Sequence, residues 1–194
     1  MSALAERLRA ALASPSAEPP LEGDYPELRA RASKPAAVLV AITDRPQPGV
    51  LLTVRREHMR THAGQIAFPG GRVEGDEEPV AAALREANEE IMLDPASVDL
   101  VGAIEPYRTV TGFVVTPVIG VVPRDLPLKP HEHEVAELFE APLDYLLDPA
   151  NLRRQSALLQ GRERHYYEIV WNGRRIWGAT AAMIVNLSRR LQWR

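Results

Sequence analysis

The 194-residue chain, 45% apolar and 25% charged, has the length of one domain with a full hydrophobic core. A net charge of −3 and a pI near 6.0 argue against nucleic acid or an anionic membrane surface as a partner and favour a small-molecule substrate, although local arginine clusters can still hold a small anion. The absence of cysteine excludes disulfides, thiolate nucleophiles and sulfur-ligated metals.

In the opening stretch MSALAERLRAALASP, Leu4, Leu8 and Leu12 recur at helical spacing. This predicts an amphipathic helix over 2–13, stopped at Ser14-Pro15. Glu6, Arg7 and Arg9 interrupt its apolar residues, so it contains neither a signal-peptide core nor a membrane span, and the cytoplasm is the expected compartment. Its leucine stripe could pack on the domain or on a second copy, which leaves a homodimer open. Prolines at 15, 19, 20, 26 and 35 then impose an extended connection. Residues 1–33 are accordingly read as an N-terminal helix and linker, and 34–194 as the main domain.

Residues 36–43 and 50–55 are short apolar runs joined by Arg45-Pro46-Gln47-Pro48-Gly49, the pattern of a hairpin. Arg55, Arg56 and Arg60 follow. They are either a basic strand end with an exposed loop or a phosphate-binding cluster, since guanidinium groups bind phosphate oxygens in forked pairs. His58 and His62 in that loop have no carboxylate or cysteine pattern beside them and are read as solvated.

The stretch 64–93, GQIAFPGGRVEGDEEPVAAALREANEEIML, reads as a strand, a glycine turn and an acidic helix. Asp76, Glu77, Glu78 and Pro79 suit a helix start near Glu77. Val80, Leu84, Ala87 and Ile91 form an apolar stripe, while Glu86, Glu89 and Glu90 crowd the other side at i, i+3, i+4. Such a cluster is either a solvated acidic face beside Arg85 or a hard-metal site of the kind Mg²⁺ or Mn²⁺ accepts.

Further along, 98–104 and 113–122 read as strands, with Pro117 marking an edge or a bulge. Next come the proline-rich loop with HEHE at 131–134, a strand at 135–139 and a helical turn at 143–147. Residues 151–166 read as a polar, basic excursion. Residues 166–171 and 174–177 flank Asn172-Gly173 as a hairpin with a type I′ turn. A final amphipathic helix carries Met183, Ile184, Leu187 and Leu191 on one face. Strands interleaved with two substantial helices imply an α/β layer fold.

Gly71, Glu77, Arg85, Glu86, Glu89 and Glu90, at their observed spacing, resemble the signature of the Nudix hydrolases. Ala87 is a small member of the signature's aliphatic position, and Met92 stands where the pattern has glycine. Leu51, Leu52, Thr53, Arg55, Arg60, Gly64, Phe68, Pro69, Gly70 and Gly71 resemble the additional motif of the coenzyme A diphosphatase branch, with Arg56 in place of a small residue. Trp177-Gly178-Ala179-Thr180 is similar to that branch as well.

The resemblance covers residues 34–194 and implies a Nudix-type α/β/α sandwich, a mixed sheet between helices. It implies Glu86 and Glu90 as ligands of Mg²⁺ or Mn²⁺, with Glu89 on a second ion or on the same one through water. Arg85 and Glu77 would orient these ligands, and Glu134 would add a ligand or general base from outside the signature. Glu89 and a metal-activated water stay open as the base. Arg55, Arg60, Phe68, Gly70 and Gly71 are the implied substrate surroundings. The implied reaction splits coenzyme A, and acyl derivatives, into 4′-phosphopantetheine and adenosine 3′,5′-bisphosphate. Arg56 leaves room for ADP-ribose, dinucleotides or nucleoside triphosphates as substrates. A non-catalytic sensor of coenzyme A or a nucleotide is the alternative of another class.

Overall fold

The computed structural model describes residues 2–16, 18–24, 34–56, 64–159 and 162–192; Arg60, His58 and His62 lie outside them. Eight strands form one mixed sheet: β1 (Lys34–Asp44), β2 (Gly49–Arg55), β3 (Ile66–Ala67), β4 (Gly70–Arg72), β5 (Asp99–Ala103), β6 (Tyr107–Arg108), β7 (Phe113–Pro123) and β8 (Val135–Pro142). β1 and β7 run parallel from Lys34↔Phe113 to Asp44↔Pro123 at its centre. Both of their faces are covered, which is why they read as near-continuous apolar runs.

The predicted β1–β2 hairpin pairs at Ile42↔Val50 and then forks. Into the fork go β3, paired to β2 at Thr53↔Ala67, and β4, paired to β1 at Val38↔Gly70. The Leu39 N–H donates to the Pro69 carbonyl at 2.8 Å, which pins the wedge between them. A Cβ at Gly70 would overlap the Ala37 carbonyl and Val38, so only glycine fits at the tip.

On one face lies α2 (Pro79–Ile91), whose Ala82, Ala83 and Ala87 meet Ala37, Leu39, Ala41 and Leu51. Small residues on both sides let the helix axis approach the sheet closely. The other face carries α1 (Ala3–Ala13), α3 (Leu143–Leu147) and α4 (Ala179–Leu191), which pack Leu8, Leu146, Ile184 and Leu187 on Val40, Ile42, Leu52 and Ile119. Each fully buried side chain of this kind contributes about 1.5–3 kcal/mol. The result is the expected α/β/α sandwich.

Three local expectations need correction. Residues 151–166 are not an irregular excursion: β9 (Leu152–Leu159), β10 (Arg162–Trp171) and β11 (Arg174–Trp177) form a separate antiparallel sheet. Its outer strands lack apolar alternation and are held by ladder bonds such as Arg153↔Glu168, so no period-2 signal was there to read. The Asn172-Gly173 turn has φ 47° and 75°, as a type I′ turn requires. Pro117 sits at neither an edge nor a bulge but inside β7. Its carbonyl takes the Ile104 N–H where β5 has ended and β6 not begun, so its missing donor costs no ladder bond. The acidic helix starts at Pro79, two residues after Glu77, with Glu78 as an N-cap that makes no side-chain bond.

The terminal helices are packed within their own chain. Leu8 and Leu191 are buried, and the second side of α4 is covered too, because Ser14, Ser16, Glu18, Pro19 and Leu21 contact it. Asn186 clamps that segment: its Oδ1 accepts the Leu21 N–H at 2.7 Å and its Nδ2 donates to the Leu21 carbonyl at 2.8 Å. Arg189 donates to the Pro19 carbonyl, and Arg190 to those of Leu12 and Ser14. The leucine stripes are therefore not an exposed face for a second copy. Among the described residues no helix is long and apolar enough to cross a membrane.

Met92 ends α2 in the left-handed region, with φ 55° and ψ 31°, and its side chain is 59% exposed. It adopts the backbone conformation that glycine takes without strain, while its side chain gains little from packing. Met92→Gly is expected to raise the unfolding free energy by about 0.5–1 kcal/mol, net of glycine's greater chain entropy. A lowered thermal midpoint would contradict this reading of the helix end.

Candidate functional site

The carboxylates gather where the C-terminal half of α2 passes the wedge of the forked sheet. Packing Ala83, Ala87 and Ile91 on the sheet rotates Glu90 inward, so it is only 4% exposed. The Gly70 N–H donates to Glu90 Oε2 at 3.1 Å, and Arg55 Nη1 at the end of β2 stands 3.6 Å from Glu90 Oε1. One turn earlier the Glu86 carboxylate lies against Gly71, where any Cβ would overlap it. The Glu86 side chain is 16% exposed and that of Glu89 57%, so the three glutamates form a gradient from buried to open rather than one solvated face.

Arg85 organises the rim. Its Nη2 donates to Glu77 Oε1 at 2.8 Å and to the Arg72 carbonyl at 2.9 Å, and its Nε to Glu77 Oε2 at 3.3 Å. Its Nη1 reaches Glu86 Oε1 and Glu89 Oε2, both at 3.1 Å. Glu77, outside the helix, also accepts the Glu74 N–H at 2.8 Å, which closes the loop between β4 and α2. One guanidinium thus ties the loop to two of the three helix carboxylates.

The loop bearing Glu134 is attached to the end of the same helix. The Lys129 N–H donates to the Ile91 carbonyl at 3.1 Å, the His131 N–H to the Glu90 carbonyl at 2.7 Å, and the Arg56 N–H to the Glu134 carbonyl at 3.0 Å. The first two use helix-end carbonyls that need partners, and all three bring the Glu134 charge within electrostatic reach of both Glu86 and Glu90. Glu137 is diverted to an ion pair with Arg174. Phe68 is 2% exposed, with its side chain in the core cluster under the wedge. The Gly70 amide, the Arg72 carbonyl and the 129 and 131 amides were not readable beforehand, because backbone groups carry no residue signature.

Burial is the main cause that pushes the Glu90 carboxyl up to about 7, with Glu86 and Glu134 adding to it and Gly70 N–H and Arg55 opposing. Burial likewise raises Glu86, against the pull of Arg85. The hydrogen bond from Arg85 lowers Glu77. Among the described residues no three carboxylates or imidazoles already converge at metal-ligand geometry, because Arg85 draws Glu86 and Glu89 toward itself. The donor set still fits a hard divalent cation. It is all oxygen, and the half-buried Glu86 and buried Glu90, with Glu89 and Glu134 beside them, face only Arg55 and Arg85 as cations among the described residues.

A carboxyl raised from an ordinary 4.5 to about 7 keeps its proton in the folded chain while the unfolded chain has lost it. Its contribution is full below about pH 4.5 and is lost as the pH rises through about 7, a loss of about 3 kcal/mol. In chelator, wild type should therefore lose about that much more unfolding free energy than Glu90→Gln between about pH 5 and pH 8, read by urea denaturation. Parallel pH profiles would overturn the assignment.

Residues 33–163 match the family model described as NUDIX domain. The Nudix hydrolase NudL of Escherichia coli K12 is 43% identical over 157 residues, which span 80% of this chain and 82% of that one; the Shigella boydii serotype 4 protein of the same name matches equally. The crystal structure of RenU, a Nudix hydrolase from M. smegmatis, superposes with a TM-score of 0.50 at 26% identity, covering 57% of this chain and 71% of that one. A MutT/nudix family protein from Enterococcus faecalis shares the fold over 96% of this chain and 68% of its own, at a TM-score of 0.51 and 16% identity. Nudix enzymes act on small-molecule substrates and generally use divalent cations such as Mg²⁺ or Mn²⁺. The forked sheet, its glycine wedge and its carboxylate helix are accordingly those of a Nudix hydrolase: the chain belongs to that family and acts on pyrophosphate bonds.

Proposed function

We propose that the substrate is coenzyme A, with acyl derivatives also accepted, and that its diphosphate is hydrolysed to 4′-phosphopantetheine and adenosine 3′,5′-bisphosphate. The observation that carries this reading is the position of Arg55. The upstream motif that resembles the coenzyme A branch runs along β2 and through the wedge, and its first arginine stands 3.6 Å from Glu90. Phosphate recognition and the candidate metal ligands thus share one edge of the sheet.

In this reading Glu90 and Glu86 hold Mg²⁺ or Mn²⁺, and Glu89 serves a second ion or the same one through water. The cation would neutralise diphosphate oxygens and acidify a water. Arg55 places a guanidinium on the diphosphate, and the Gly70 N–H fixes one Glu90 oxygen while the other lies on the Arg55 side. Arg85 holds Glu86 and Glu89 in orientation through Glu77 and the Arg72 carbonyl. Glu134 takes a proton from the attacking water: it is exposed, near both ligands and free of any resolved guanidinium partner among the described residues. No covalent enzyme intermediate is needed. ADP-ribose or dinucleotide hydrolysis at the same centre is the second reading, favoured by Arg56 where the branch pattern has a small residue.

Incubating the purified chain and Glu90→Gln with coenzyme A, dephospho-coenzyme A, ADP-ribose and a dinucleotide, with Mg²⁺ or Mn²⁺ and with chelator, tests this by mass spectrometry of the products. The expected outcome is cation-dependent release of 4′-phosphopantetheine, reduced more than about 100-fold by Glu90→Gln. Turnover of ADP-ribose or the dinucleotide alone would retain the carboxylate centre and reject coenzyme A.

A further inference from the structure

Arg56 is the residue at which the upstream motif departs from its branch, and the fold gives it an unusual position. Its N–H extends the β2–β8 pairing by one bond, to the carbonyl of Glu134. Its Nε is buried without a hydrogen-bond acceptor, as is that of its neighbour Arg55. Arg45 and Arg174 also bury an Nε in this way, but they spend their other nitrogens on Glu140 and Glu137. Among the described residues Arg56 has no ion-pair partner, although exposed carboxylates at 132 and 134 lie on the loop to which its backbone is bonded. A half-buried guanidinium whose Nε lies out of reach of water, with no acceptor among the described residues, is completed by an anion that accepts from it.

Arg55 and Arg56 are also consecutive on an extended segment, so their side chains diverge. Arg55 turns to the α2 face, where Glu90 lies. The two backbone N–H groups point opposite ways, that of Arg55 to the Gln65 carbonyl and that of Arg56 to the Glu134 carbonyl, so the Arg56 side chain leaves the strand away from the face on which Arg55 meets Glu90. Two arginines arranged in this way match a ligand with two separate phosphate groups better than a diphosphate alone. Resting on the coenzyme A reading above, we propose that Arg56 binds the phosphate monoester at the ribose 3′ position, while Arg55 serves the diphosphate. Arg56 is then a specificity residue supplied by this chain where the branch pattern has a small side chain.

Equilibrium binding of adenosine 3′,5′-bisphosphate and of adenosine 5′-monophosphate to wild type, Arg56→Ala and Arg56→Lys tests the assignment without turnover. Arg56→Ala should weaken the bisphosphate about 10- to 100-fold and the monophosphate less than about twofold, and Arg56→Lys should recover part of the loss, since an ammonium keeps the charge without the fork. In turnover, KM for coenzyme A should rise in Arg56→Ala with kcat unchanged, and KM for dephospho-coenzyme A should stay the same. Equal weakening of both nucleotides, or no weakening, overturns the assignment. A wild type that turns over coenzyme A while Arg56→Ala behaves identically rejects the Arg56 role alone; a wild type with no coenzyme A turnover rejects the function on which it rests.

Discussion

The site depends on a single buried carboxylate. Glu90 is held beneath the fork of β1 and β2 by the Gly70 N–H on one oxygen and Arg55 near the other. Burying a carboxylate costs several kcal/mol unless compensating charge and hydrogen bonds accompany it. Much of the local architecture meets that requirement: the wedge exists to present an amide, the glycine tip lets that amide approach, and the end of β2 delivers a guanidinium. What these groups leave uncompensated is an excess of negative charge, shared with Glu86, Glu89 and Glu134, that a divalent cation would complete.

Two other features follow from holding that helix at this depth. Alanines on α2 and on β1 set the distance between helix and sheet, so a larger side chain at Ala83 or Ala87 would lift Glu90 away from Gly70 as well as strain the core. Arg85 then fixes the rotation of the exposed side, since it binds the loop through Glu77 and the Arg72 carbonyl while reaching Glu86 and Glu89. The glutamates differ in environment because they are differently buried, although their residue type is identical.

The core sheet, the acidic helix and the terminal helices were legible in the chain because each carries a clear periodicity or turn signal: Val80, Leu84, Ala87 and Ile91 for α2, Asn172-Gly173 for the last hairpin. The burial of Glu90 was not, since i, i+3, i+4 spacing places three carboxylates on a side without saying how far that side is turned into the sheet. Nor was the outer sheet, whose β9 scatters Leu152, Ala157, Leu158 and Leu159 among polar residues without alternation and pairs along its length with β10. Phe68 belongs to the motif that resembles the coenzyme A branch, and its burial in the core is a feature that the motif's spacing does not show. The clamp of Asn186 on Leu21 was not legible either, because it joins residues 165 apart through backbone groups that carry no residue signature.

The most direct test of the central claim, that a buried carboxylate is completed by a divalent cation, is the number of protons released when Mn²⁺ binds. Isothermal titration in buffers of different ionisation enthalpy measures it. With Glu90 titrating near 7, Mn²⁺ should displace about one proton per ion at about pH 6 and almost none at about pH 8.5, and Glu90→Gln should abolish the difference. Tight Mn²⁺ binding with the same proton release at both pH values, or binding unaffected by Glu90→Gln, would place the cation elsewhere and contradict the account.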